Sequence, residues 1–542
     1  MPSRASSLAP FRHAVFQKLW IATLASNLGS LIQTVGAAWM MTTISDSSGM
    51  VALVQASTTL PIMIFSLVAG ALADSFDRRK IMLAAQGVMM AASILLAIFA
   101  VAGWLSPWLL LAFTFLIGCG TALHNPSWQA SMGDIVPRED LPGAITLNSM
   151  SFNLMRSVGP AVGGLVVALG GAATAFMLNA VSYVALIYAL LRWKYDKPDR
   201  SLPREKLGSA ISAGLRYMSM SPNLLKVIVR SFVFGFAAVS VLALLPLVTR
   251  DLIEGGALSY GIILGCFGAG AIGGALLNAR IRERWPNEMI VRGTFLLFAL
   301  SAIALALSRD MWLSCLIVMP AGACWVATLS LFNATIQLST PRWVVGRALA
   351  LYQTAAFGGM AVGSWVWGIV AEGSGTANAL IFAGITLVVG AAIGLRFALP
   401  EFSALNLDPL NQFNEPALRL DLRPRSGPIM IMVDYEIAHK DIDAFLEVMA
   451  ERRRIRIRDG ARQWSLLRDL ENPTIWTESY HVPTWVEYVR HNMRRTYADA
   501  EISNRLLALH RGSEGPRVHR MIERQTVPLH DDTPLKNDPE IS

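Results

Sequence analysis

The sequence predicts an all-α membrane bundle followed by a small α+β domain. Of its 542 residues, 54% are hydrophobic and only 15% are charged, and long apolar runs recur from about Leu19 to about Leu399. A soluble core of this length could not hide so much apolar surface, so a bilayer is the solvent that the composition requires. After the last apolar run the pattern becomes polar and alternating, which indicates a separate soluble domain.

Twelve apolar runs are long enough to cross a bilayer as helices. A spanning helix needs about 20 mostly apolar residues. The runs lack the polar–apolar alternation of barrel strands, so their backbone groups can be satisfied only as helix. The predicted spans are 18–42, 51–72, 80–102, 107–132, 144–170, 172–192, 224–249, 257–280, 288–307, 311–338, 346–371 and 376–398.

Lysine and arginine are concentrated in alternate connections between these runs. The connections around 78–80 and 280–284 are basic, whereas 45–49 and 103–107 contain no Lys or Arg. Basic connections stay in the cytoplasm. We therefore expect a multi-pass protein of the cell (inner) membrane with both termini in the cytoplasm, and the amino-terminal segment lacks the pattern of a cleavable signal.

The runs divide into two groups of six that show an internal repeat. Pro137 and Pro341 each begin a Pro-Arg segment before a helix, and the same offset maps Gly159 onto Gly363. Such repeats are typical of two parallel six-helix halves, with coincidence between abundant glycines as the alternative. The predicted domains are an N-terminal half 1–192, a central cytoplasmic loop 193–223, a C-terminal half 224–400, a linker 401–427, a cytoplasmic domain 428–527 and a disordered tail 528–542.

The connection after the second run carries the most specific motif. Residues 70–80 read Gly-Ala-Leu-Ala-Asp-Ser-Phe-Asp-Arg-Arg-Lys. This segment resembles the signature loop of the major facilitator superfamily of membrane transporters, whose pattern is met at Gly70, Leu72, Asp74, Arg78 and Arg79. Asp77 stands where the wider superfamily usually has Gly, as in the branch similar to enterobactin and other siderophore exporters, the transmembrane secretion effectors.

This resemblance implies a conformational role for the loop. Asp74 would face the amino-terminal end of helix eleven, and Arg78 would reach Asp134 at the end of helix four, which together hold the outward-facing state. Breaking these contacts would favour inward opening. The alternative is that the basic residues only enforce topology, which we favour for Arg79 and Lys80.

A second family-like motif lies in the fifth predicted helix. The segment 153–164 contains Gly159, Pro160, Gly163 and Gly164 and resembles the Gly-Pro-rich motif of superfamily exporters. Proline bends a helix, while glycine lets a neighbouring helix approach closely. The motif predicts a surface on which helices rock, and simple tight packing is the alternative interpretation.

Arg156 is the costliest polar residue that we identify within the spans. An arginine near the bilayer centre costs about 2.5–3.5 kcal/mol on insertion scales, so it should face a wet cavity or a partner. We predict that Arg156 lies on the substrate path, with a buried structural pair as the alternative. Helices one and four line the cavity in the superfamily, so further candidates are the polar residues Asn27, Gln33, His124, Asn125 and, near Arg156, Asn153. Each could instead form an interhelical hydrogen bond.

The sequence favours a secondary transporter. It has no Gly-x-x-x-x-Gly-Lys-Ser/Thr loop for ATP, so an ion gradient should supply the energy. No Asp or Glu falls in the middle of a predicted span, which leaves His124 as the candidate for proton coupling. The predicted function is proton-coupled export of siderophore-like or other small amphipathic molecules by alternating access. We expect no catalytic residue, cofactor or metal, and no nucleic-acid partner, because basic cytoplasmic loops account for the net charge of +8.

The chain that follows the linker reads as a small α+β domain. We predict strand 429–437, helix 440–453, strands 463–470 and 474–481, helices 484–495 and 499–510, and strand 517–525. This order is typical of a ferredoxin-like fold. The aromatic pattern resembles that of small antibiotic-biosynthesis-monooxygenase domains, which often pair into dimers.

Two functions are open for this domain. It is either a regulatory or dimerising appendage, whose basic run 452–458 could contact anionic membrane lipid, or the active part of a membrane-anchored enzyme or sensor. In the second case His481, His491 and Trp485 could line a pocket. No nucleophile–base set or metal-ligand spacing is visible among its residues, and likeness of fold alone does not carry chemistry.

Overall fold

The chain folds into two units, a helical bundle and a second unit that contains the final domain. The structure is a computed structural model that describes residues 9–137, 139–194, 207–341, 343–399, 407, 410 and 412–523. The helical bundle comprises Met1–Glu205, Asn223–Ile336 and Leu349–Glu401; the second unit comprises Lys206–Pro222, Gln337–Ala348 and Phe402–Ser542. Arg138 and the predicted tail 528–542 lie outside the described residues.

Most of the described residues are helical. In chain order the helices are α1 (Ala14–Ile44), α2 (Ser48–Ser75), α3 (Arg78–Ala102), α4 (Pro107–Ile135), α5 (Leu141–Arg192), α6 (Leu207–Ser219), α7 (Pro222–Leu247), α8 (Ala257–Arg284), α9 (Asn287–Leu307), α10 (Met311–Leu338), α11 (Val345–Ser374) and α12 (Thr376–Arg396). Ten helices in the described part of the chain are long and apolar enough to cross a membrane. We call α1–α5 the first helix group and α7–α12 the second.

The short connections between helices contain residues that cap the helix ends. The side chains of Ser47, Asp77 and Ser106 each accept a hydrogen bond from a backbone N–H in the first turn of α2, α3 and α4. Gly103 ends α3 in the left-handed region, with φ of 72°. Asp77, which departs from the glycine of the wider superfamily, therefore has a local structural role as the N-cap of α3.

Helix α5 consists of two helical segments that meet at Gly171. This glycine has φ of 76° and ψ of 172°, a conformation that residues with a Cβ rarely adopt. As one straight helix, the 52 residues of α5 would extend about 78 Å, far beyond a hydrocarbon core of about 30 Å. The bend at Gly171 thus separates two segments of spanning length, at the point where the sequence predicts spans 144–170 and 172–192.

The two helix groups are packed with different chemistry. In the first group, buried amide and hydroxyl side chains of α1, α3 and α5 bond to each other. In the second group, the ring of Trp325 lies within 5.9–6.3 Å of three phenylalanine rings, those of Phe234, Phe267 and Phe298. The core of the second group near Trp325 is therefore aromatic, whereas that of the first is partly polar.

The final domain, which follows the bundle in sequence, contains a four-stranded antiparallel sheet. Its elements are β1 (Ile429–Glu436), α13 (Ile442–Asp459), β2 (Arg462–Arg468), β3 (Ile475–Val482), α14 (Trp485–Met493), α15 (Tyr497–Leu509) and β4 (Arg517–Ile522). The strand order is β2-β3-β1-β4, and Ile429 of β1 lies opposite Val482 of β3 and Ile522 of β4. Alternate residues of β1 face a buried core that includes Phe445 of α13 and Leu506 of α15, so these helices cover one face of the sheet.

Two segments that the sequence predicts as connections have defined structure. The central loop 193–223 contains α6. The linker packs onto the final domain: Phe413 and Leu422 lie against its core, and Trp485 Nε1 donates to Glu415 Oε1 at 2.8 Å. The described part of the linker is therefore continuous with the domain, because its apolar residues find a core to cover.

Candidate substrate path and conformational motifs

Arg156 lies at the boundary between the two helix groups. It is about midway between Leu141 and the bend at Gly171, and its guanidinium carbon is 6.0 Å from the ring centre of Trp325 on α10. Trp325 is only 3% exposed. Among the described residues no carboxylate pairs with Arg156, so a cation–π contact is the interaction that the protein offers this charge.

The Gly-Pro motif of α5 packs against two different helices. Gly159 and Gly163 face Leu31 and Val35 of α1, whereas Gly164 lies against α8. A Cβ placed on Gly164 would be 2.8 Å from the Cα of Gly261, a distance that requires the helices to separate. Glycine therefore allows close approach of α5 and α8, and this contact continues to Gly268, which packs on the backbone of Arg156. The motif proline, Pro160, is buried in α5.

Gln33 belongs to a buried polar network within the first helix group. Its Oε1 accepts hydrogen bonds from Ser93 Oγ at 2.8 Å and Asn179 Nδ2 at 2.5 Å. Asn179 also donates to the Tyr183 hydroxyl at 3.0 Å, and Gln33 is 4% exposed. The network joins α1, α3 and α5, which supports the interhelical-bond interpretation of Gln33.

The other polar residues of helices one, four and five differ in burial. His124 is buried, with its Nδ1 3.3 Å from Gln86 Nε2 of α3. Asn27 is half-buried and Asn125 is exposed, whereas the side chain of Asn153 lies outside the described residues. Of the predicted path residues, the structure therefore joins Gln33 and His124 to other helices of the first group and leaves Arg156 at the boundary.

Two basic residues of the signature loop, Arg78 and Arg79, contact other helices of the first helix group. Arg78 NH1 lies 2.7 Å from Asp134 Oδ2, and it also donates to the Ala130 carbonyl at 2.7 Å. Arg79 donates to the carbonyls of Leu190 and Leu191, at the last turn of α5, where a cation satisfies free carbonyl groups. All of these partners belong to α4 and α5.

Leu72 is half-buried in α2. The side chain of Asp74 and the surroundings of Gly70 lie outside the described residues, and with them the predicted contact of Asp74 with helix eleven. The contacts of Arg78 with Asp134 and Ala130, and of Arg79 with Leu190 and Leu191, lie within the first helix group.

Sequence reasoning missed a second arginine within the spans, Arg230 of α7. It is 2% exposed, and its NH1 is 2.5 Å from Glu288 Oε2, which also accepts the Leu399 N–H at 2.9 Å. Arg230 Nε and NH2 and Glu288 Oε1 have no hydrogen-bond partner within the described ranges. A signal was present, because Arg230 falls inside the predicted span 224–249 and Glu288 begins the span 288–307.

The helix groups touch each other at the end where α1 stops and α2 begins. Ser47 Oγ donates to Glu372 Oε2 at 3.0 Å, and Arg250 NH1 donates to the Thr42 carbonyl at 3.0 Å. The ring of Trp39 stacks on that of Tyr260, with centres 6.2 Å apart. We call this end the Glu372 end; α2 and α11 meet again deeper in the bundle, where Ser66 Oγ and Thr354 Oγ1 are 2.8 Å apart.

In the second unit, the final domain holds α6 and the segment that leads into α11. Arg494 lies over the Trp343 ring at 4.3 Å, and Arg458 lies over the Tyr217 ring at 5.0 Å. The two rings meet edge to face, with centres 5.7 Å apart. We call these four residues the Trp343 contact. Burial of the Tyr217 hydroxyl raises its pKa to about 12, although the Arg458 charge opposes this shift.

Glu478 is the buried charge at the centre of the final domain. It accepts hydrogen bonds from Arg452 Nε at 2.8 Å, Arg456 Nε at 3.3 Å, Trp464 Nε1 at 3.1 Å and the Tyr435 hydroxyl at 3.2 Å. Burial alone would raise the pKa of this carboxyl, but Arg456 and Arg452 outweigh it and lower the pKa to about 2. The carboxylate is therefore ionised throughout the physiological range.

The three residues that the sequence suggests for a pocket in the final domain, His481, His491 and Trp485, are not arranged as a catalytic site. His491 Nε2 lies 2.9 Å from Arg456 NH1, and Trp485 is occupied by Glu415 and by stacking on Tyr488. Neither residue, nor His481, lines the cavity found in this domain. Among the described residues no group of His, Cys, Asp and Glu is arranged to hold a metal ion.

Two groups of apolar helices that pack closely through glycines, with an arginine at their boundary, are typical of a membrane transporter. The chain belongs to the transmembrane secretion effector family, which it matches over residues 5–526. The predicted resemblance to this branch of the major facilitator superfamily is thereby confirmed. The match extends through the final domain, so that domain lies within the region that defines the family.

Relatives and solved structures agree with this assignment. The chain is 22% identical over 411 residues to the multidrug efflux pump Tap of Mycobacterium tuberculosis, which covers 73% of this chain and 96% of Tap. It is 23% identical over 257 residues to the staphyloferrin A transporter of Staphylococcus aureus, covering 47% and 64% of the two chains. Its fold is similar to that of a bacterial homologue of the human lysosomal transporter Spinster in an inward-facing, unoccupied conformation, with a TM-score of 0.57, 14% identity and coverage of 72% and 97%.

The protein is therefore a multi-pass secondary transporter of the cell membrane that moves small molecules. The alternative prediction, a membrane-anchored enzyme or sensor, is not supported by the family or by these relatives.

Proposed function

We propose that the protein exports small amphipathic molecules by alternating access, along a path between the two helix groups that passes Arg156. One observation carries this proposal: Arg156 faces Trp325 across the boundary and has no carboxylate partner among the described residues. A guanidinium without a counter-charge is costly in an apolar bundle. A substrate with an anionic or π-rich group would offset that cost each time it binds.

The chemistry around Arg156 supports an amphipathic substrate. Trp325 packs with Phe267 and Phe298, so the cation has an aromatic surface beside it. Apolar walls with a few polar groups are typical of small-molecule sites. The relatives that export several drugs or carry staphyloferrin A favour siderophore-like or drug-like molecules as the substrate class.

We infer twelve membrane crossings with both termini in the cytoplasm. Ten helices qualify by length and apolarity; α5 counts twice because Gly171 divides it, and α1 supplies the remaining crossing. The basic connections support this orientation. The Glu372 end then faces outward, and its contacts between the helix groups support a state closed to the outside.

The proposed motion uses the close contact of α5 with α8. Gly164 and Gly261 let these helices approach at the Glu372 end, and opening to the outside requires them to part. Arg78 and Arg79 would keep the signature loop on the first helix group in both states. The state-dependent contact would then be that of Asp74 with helix eleven.

The proposed energy source is the proton gradient, with His124 as the titratable candidate. His124 is held against Gln86 within the first helix group, so its protonation would act through helix packing rather than by direct contact with substrate. Proton coupling requires that a protonophore abolish export.

Export assays test the path. Cells that express the wild type or Arg156→Ala are loaded with a panel of siderophores and hydrophobic drugs, and efflux is followed with and without a protonophore. We expect Arg156→Ala to lower the initial efflux rate at least about tenfold, since one charge-assisted contact is lost. The matched control is Arg192→Ala, because Arg192 is exposed at the far end of the same helix over the Tyr188 ring and should export normally.

If the Arg156→Ala variant exports at the wild-type rate, with an equal amount of protein in the membrane, then Arg156 does not lie on the substrate path. Efflux that persists with the protonophore would remove the proton gradient as the energy source.

For the final domain we infer a ferredoxin-like fold and a regulatory role. The strand order β2-β3-β1-β4, with α13 and α15 on one face, supports the fold. The Trp343 contact supports the role, because it binds the domain to the segment that leads into α11. A domain that holds this segment can bias the movement of the helix that follows it.

The Trp343→Ala variant tests this role. Loss of the cation–π contact with Arg494 should change the transport rate at least about fivefold, with unchanged protein in the membrane. The matched control is Trp285→Ala, since Trp285 is an exposed tryptophan at the end of α8. Equal rates for wild type and Trp343→Ala would contradict regulation through this contact.

Two predicted partners of the final domain remain proposals. Dimerisation would use the sheet face opposite the helices, where Met521 is exposed and Met430 and Met432 are half-buried; the molar mass of the purified protein in detergent tests it. Arg452 and Arg456 are engaged with Glu478, so lipid contact by the basic run falls to the exposed Arg453 and Arg454. Sedimentation with anionic vesicles, with both residues changed to Ala, tests that contact.

A further inference from the structure

The final domain contains a half-open cavity of about 560 Å³. It lies between the helix-bearing face of the sheet, α15 and the linker residues Leu410 and Phe413. Its volume is within the range of about 300–1,000 Å³ that is typical of small-molecule sites. The linker contributes a wall, which is tied to the domain by the Leu410 N–H bond to the Arg495 carbonyl at 2.9 Å.

Four arginines line this cavity, and we call them the arginine cluster: Arg452, Arg456, Arg495 and Arg520. No Asp or Glu is among the described residues that line it. Glu478, which lies beneath, is bound by the Nε atoms of Arg452 and Arg456. Glu478 thus pairs with two of the four arginines, and the described lining carries more positive than negative charge.

Two members of the cluster have only neutral partners. Arg495 NH2 donates to Ser503 Oγ at 2.8 Å, and Arg520 Nε donates to the Tyr488 hydroxyl at 2.7 Å. Neither forms an ion pair within the described part of the chain. Burial, and then the charges of Arg456 and Arg452, lower the pKa of Arg495, although the Asp499 charge opposes this shift.

Aromatic side chains form the remaining walls. Tyr435, Tyr480, Tyr488 and Phe413 all line the cavity, and the Phe413 ring meets that of Tyr488 edge to face at 6.0 Å. Arg456 lies over the Tyr480 ring at 4.6 Å. Flat aromatic surfaces beside guanidinium groups suit a planar ligand that carries a negative charge.

We propose that this cavity binds a small aromatic carboxylate, with its carboxylate in the arginine cluster and its ring among the tyrosines and Phe413. The guanidinium fork matches the two oxygens of a carboxylate, and the anion supplies the charge that Arg495 and Arg520 lack. Inorganic phosphate could use the same donors but not the aromatic walls. Arg495 directly follows Arg494, so a ligand bound by Arg495 lies beside the residue that contacts Trp343.

Titration calorimetry on the full-length protein in detergent tests the proposal with three probes. Salicylate carries both the ring and the charge, salicylamide keeps the ring without the charge, and inorganic phosphate keeps only the charge. We expect saturable binding of salicylate, and affinities at least about tenfold weaker for each of the other two. Equal or tighter binding of salicylamide or phosphate, or no binding of salicylate, would overturn the proposal.

Variants locate the binding. Arg495→Met and Arg520→Met should each weaken salicylate binding at least about tenfold, whereas Arg505→Met should bind normally, since Arg505 is an exposed arginine of α15 that pairs with Glu451. Thermal unfolding without ligand identifies a variant that has lost its fold. Of the two variants, Arg520→Met is expected to disturb the fold less, because Arg520 is exposed. The Arg156→Ala variant should retain salicylate binding. If this variant fails to bind salicylate, the binding site lies on the transport path, and this inference is contradicted whatever the outcome of the export assays.

Discussion

Charged side chains are bound differently in the helical bundle and in the final domain. Glu478 of the final domain is enclosed, yet four donors bind its two oxygens. In the bundle, the Arg230–Glu288 pair leaves three polar atoms without partners among the described residues, and Arg156 has an aromatic ring in place of a counter-ion. The domain satisfies its central charge completely, whereas the bundle leaves part of its charge unsatisfied.

This difference separates charges that specify structure from charges available for function. A buried network that is complete stabilises one arrangement of the chain. A buried polar group without a partner is costly, and it persists where a ligand or a second conformation supplies the missing contact. The contrast indicates that Glu478 is structural, whereas Arg156, and Arg495 and Arg520 of the arginine cluster, have no carboxylate partner among the described residues and are the places to look for ligands.

The largest expected effect follows from removing the charge of Glu478. Glu478→Gln leaves Arg452 and Arg456 without a counter-ion in the core, which should destabilise the final domain by about 3–5 kcal/mol. The measurement is the protease sensitivity of this domain in the full-length protein as temperature rises. The matched control, Glu451→Gln, alters an exposed pair with Arg505 and should cost less than about 1 kcal/mol.

The same carboxyl predicts a pH dependence of stability. Its pKa falls from an ordinary value of 4.5 to about 2 on folding, so its stabilisation is complete above about pH 4.5 and is lost as the pH falls towards 2. Burial, and then the Arg456 charge, lower the pKa of His491 well below 6.5; since the unfolded chain binds that proton first, stability also declines below about pH 6.5. In the Glu478→Gln variant, the loss of stability below about pH 4.5 should disappear, while the decline below about pH 6.5 that is due to His491 should remain. An unchanged dependence of stability on pH below 4.5 would contradict the role assigned to Glu478.

A smaller effect is expected from the pair in the bundle. Arg230→Leu should lower the stability of the detergent-purified protein by about 1–3 kcal/mol, because Glu288 keeps the Leu399 N–H bond and its side chain is 14% exposed, so it is not left wholly without a partner or solvent. The double variant Arg230→Leu/Glu288→Leu should regain most of the loss, since apolar replacement removes both charges. A double variant less stable than Arg230→Leu would show that Glu288 stabilises the bundle independently of the pair.

Much of the architecture was predictable because it depends on local sequence. The span 107–132 corresponds to α4 (Pro107–Ile135), and the span 311–338 to α10 (Met311–Leu338). Apolar length and polar caps decide where a membrane helix begins and ends. The strands of the final domain were equally accessible, since alternation such as that in β1 is visible over a few residues.

The candidate site was predictable only in part. Arg156 stands out because an arginine within an apolar run is costly, and its position in the sequence makes it a candidate. Gln33 and His124 also stand out, but the sequence does not say whether such a residue faces a cavity or another helix. Arg230 was missed because its importance depends on Glu288, which is distant in sequence and lies at a helix end.

What the sequence determined by itself is the apolar length of the helices, their basic connections, the two motifs and the order of elements in the final domain. These follow from interactions within a few residues and from the preference of each segment for lipid or water. Only the tertiary structure decided which partner each buried charge receives. Glu478 meets Arg452 and Arg456, and four arginines converge on one cavity, because strands and helices far apart in the chain pack together, and electrostatic energy depends on distances in space rather than along the sequence.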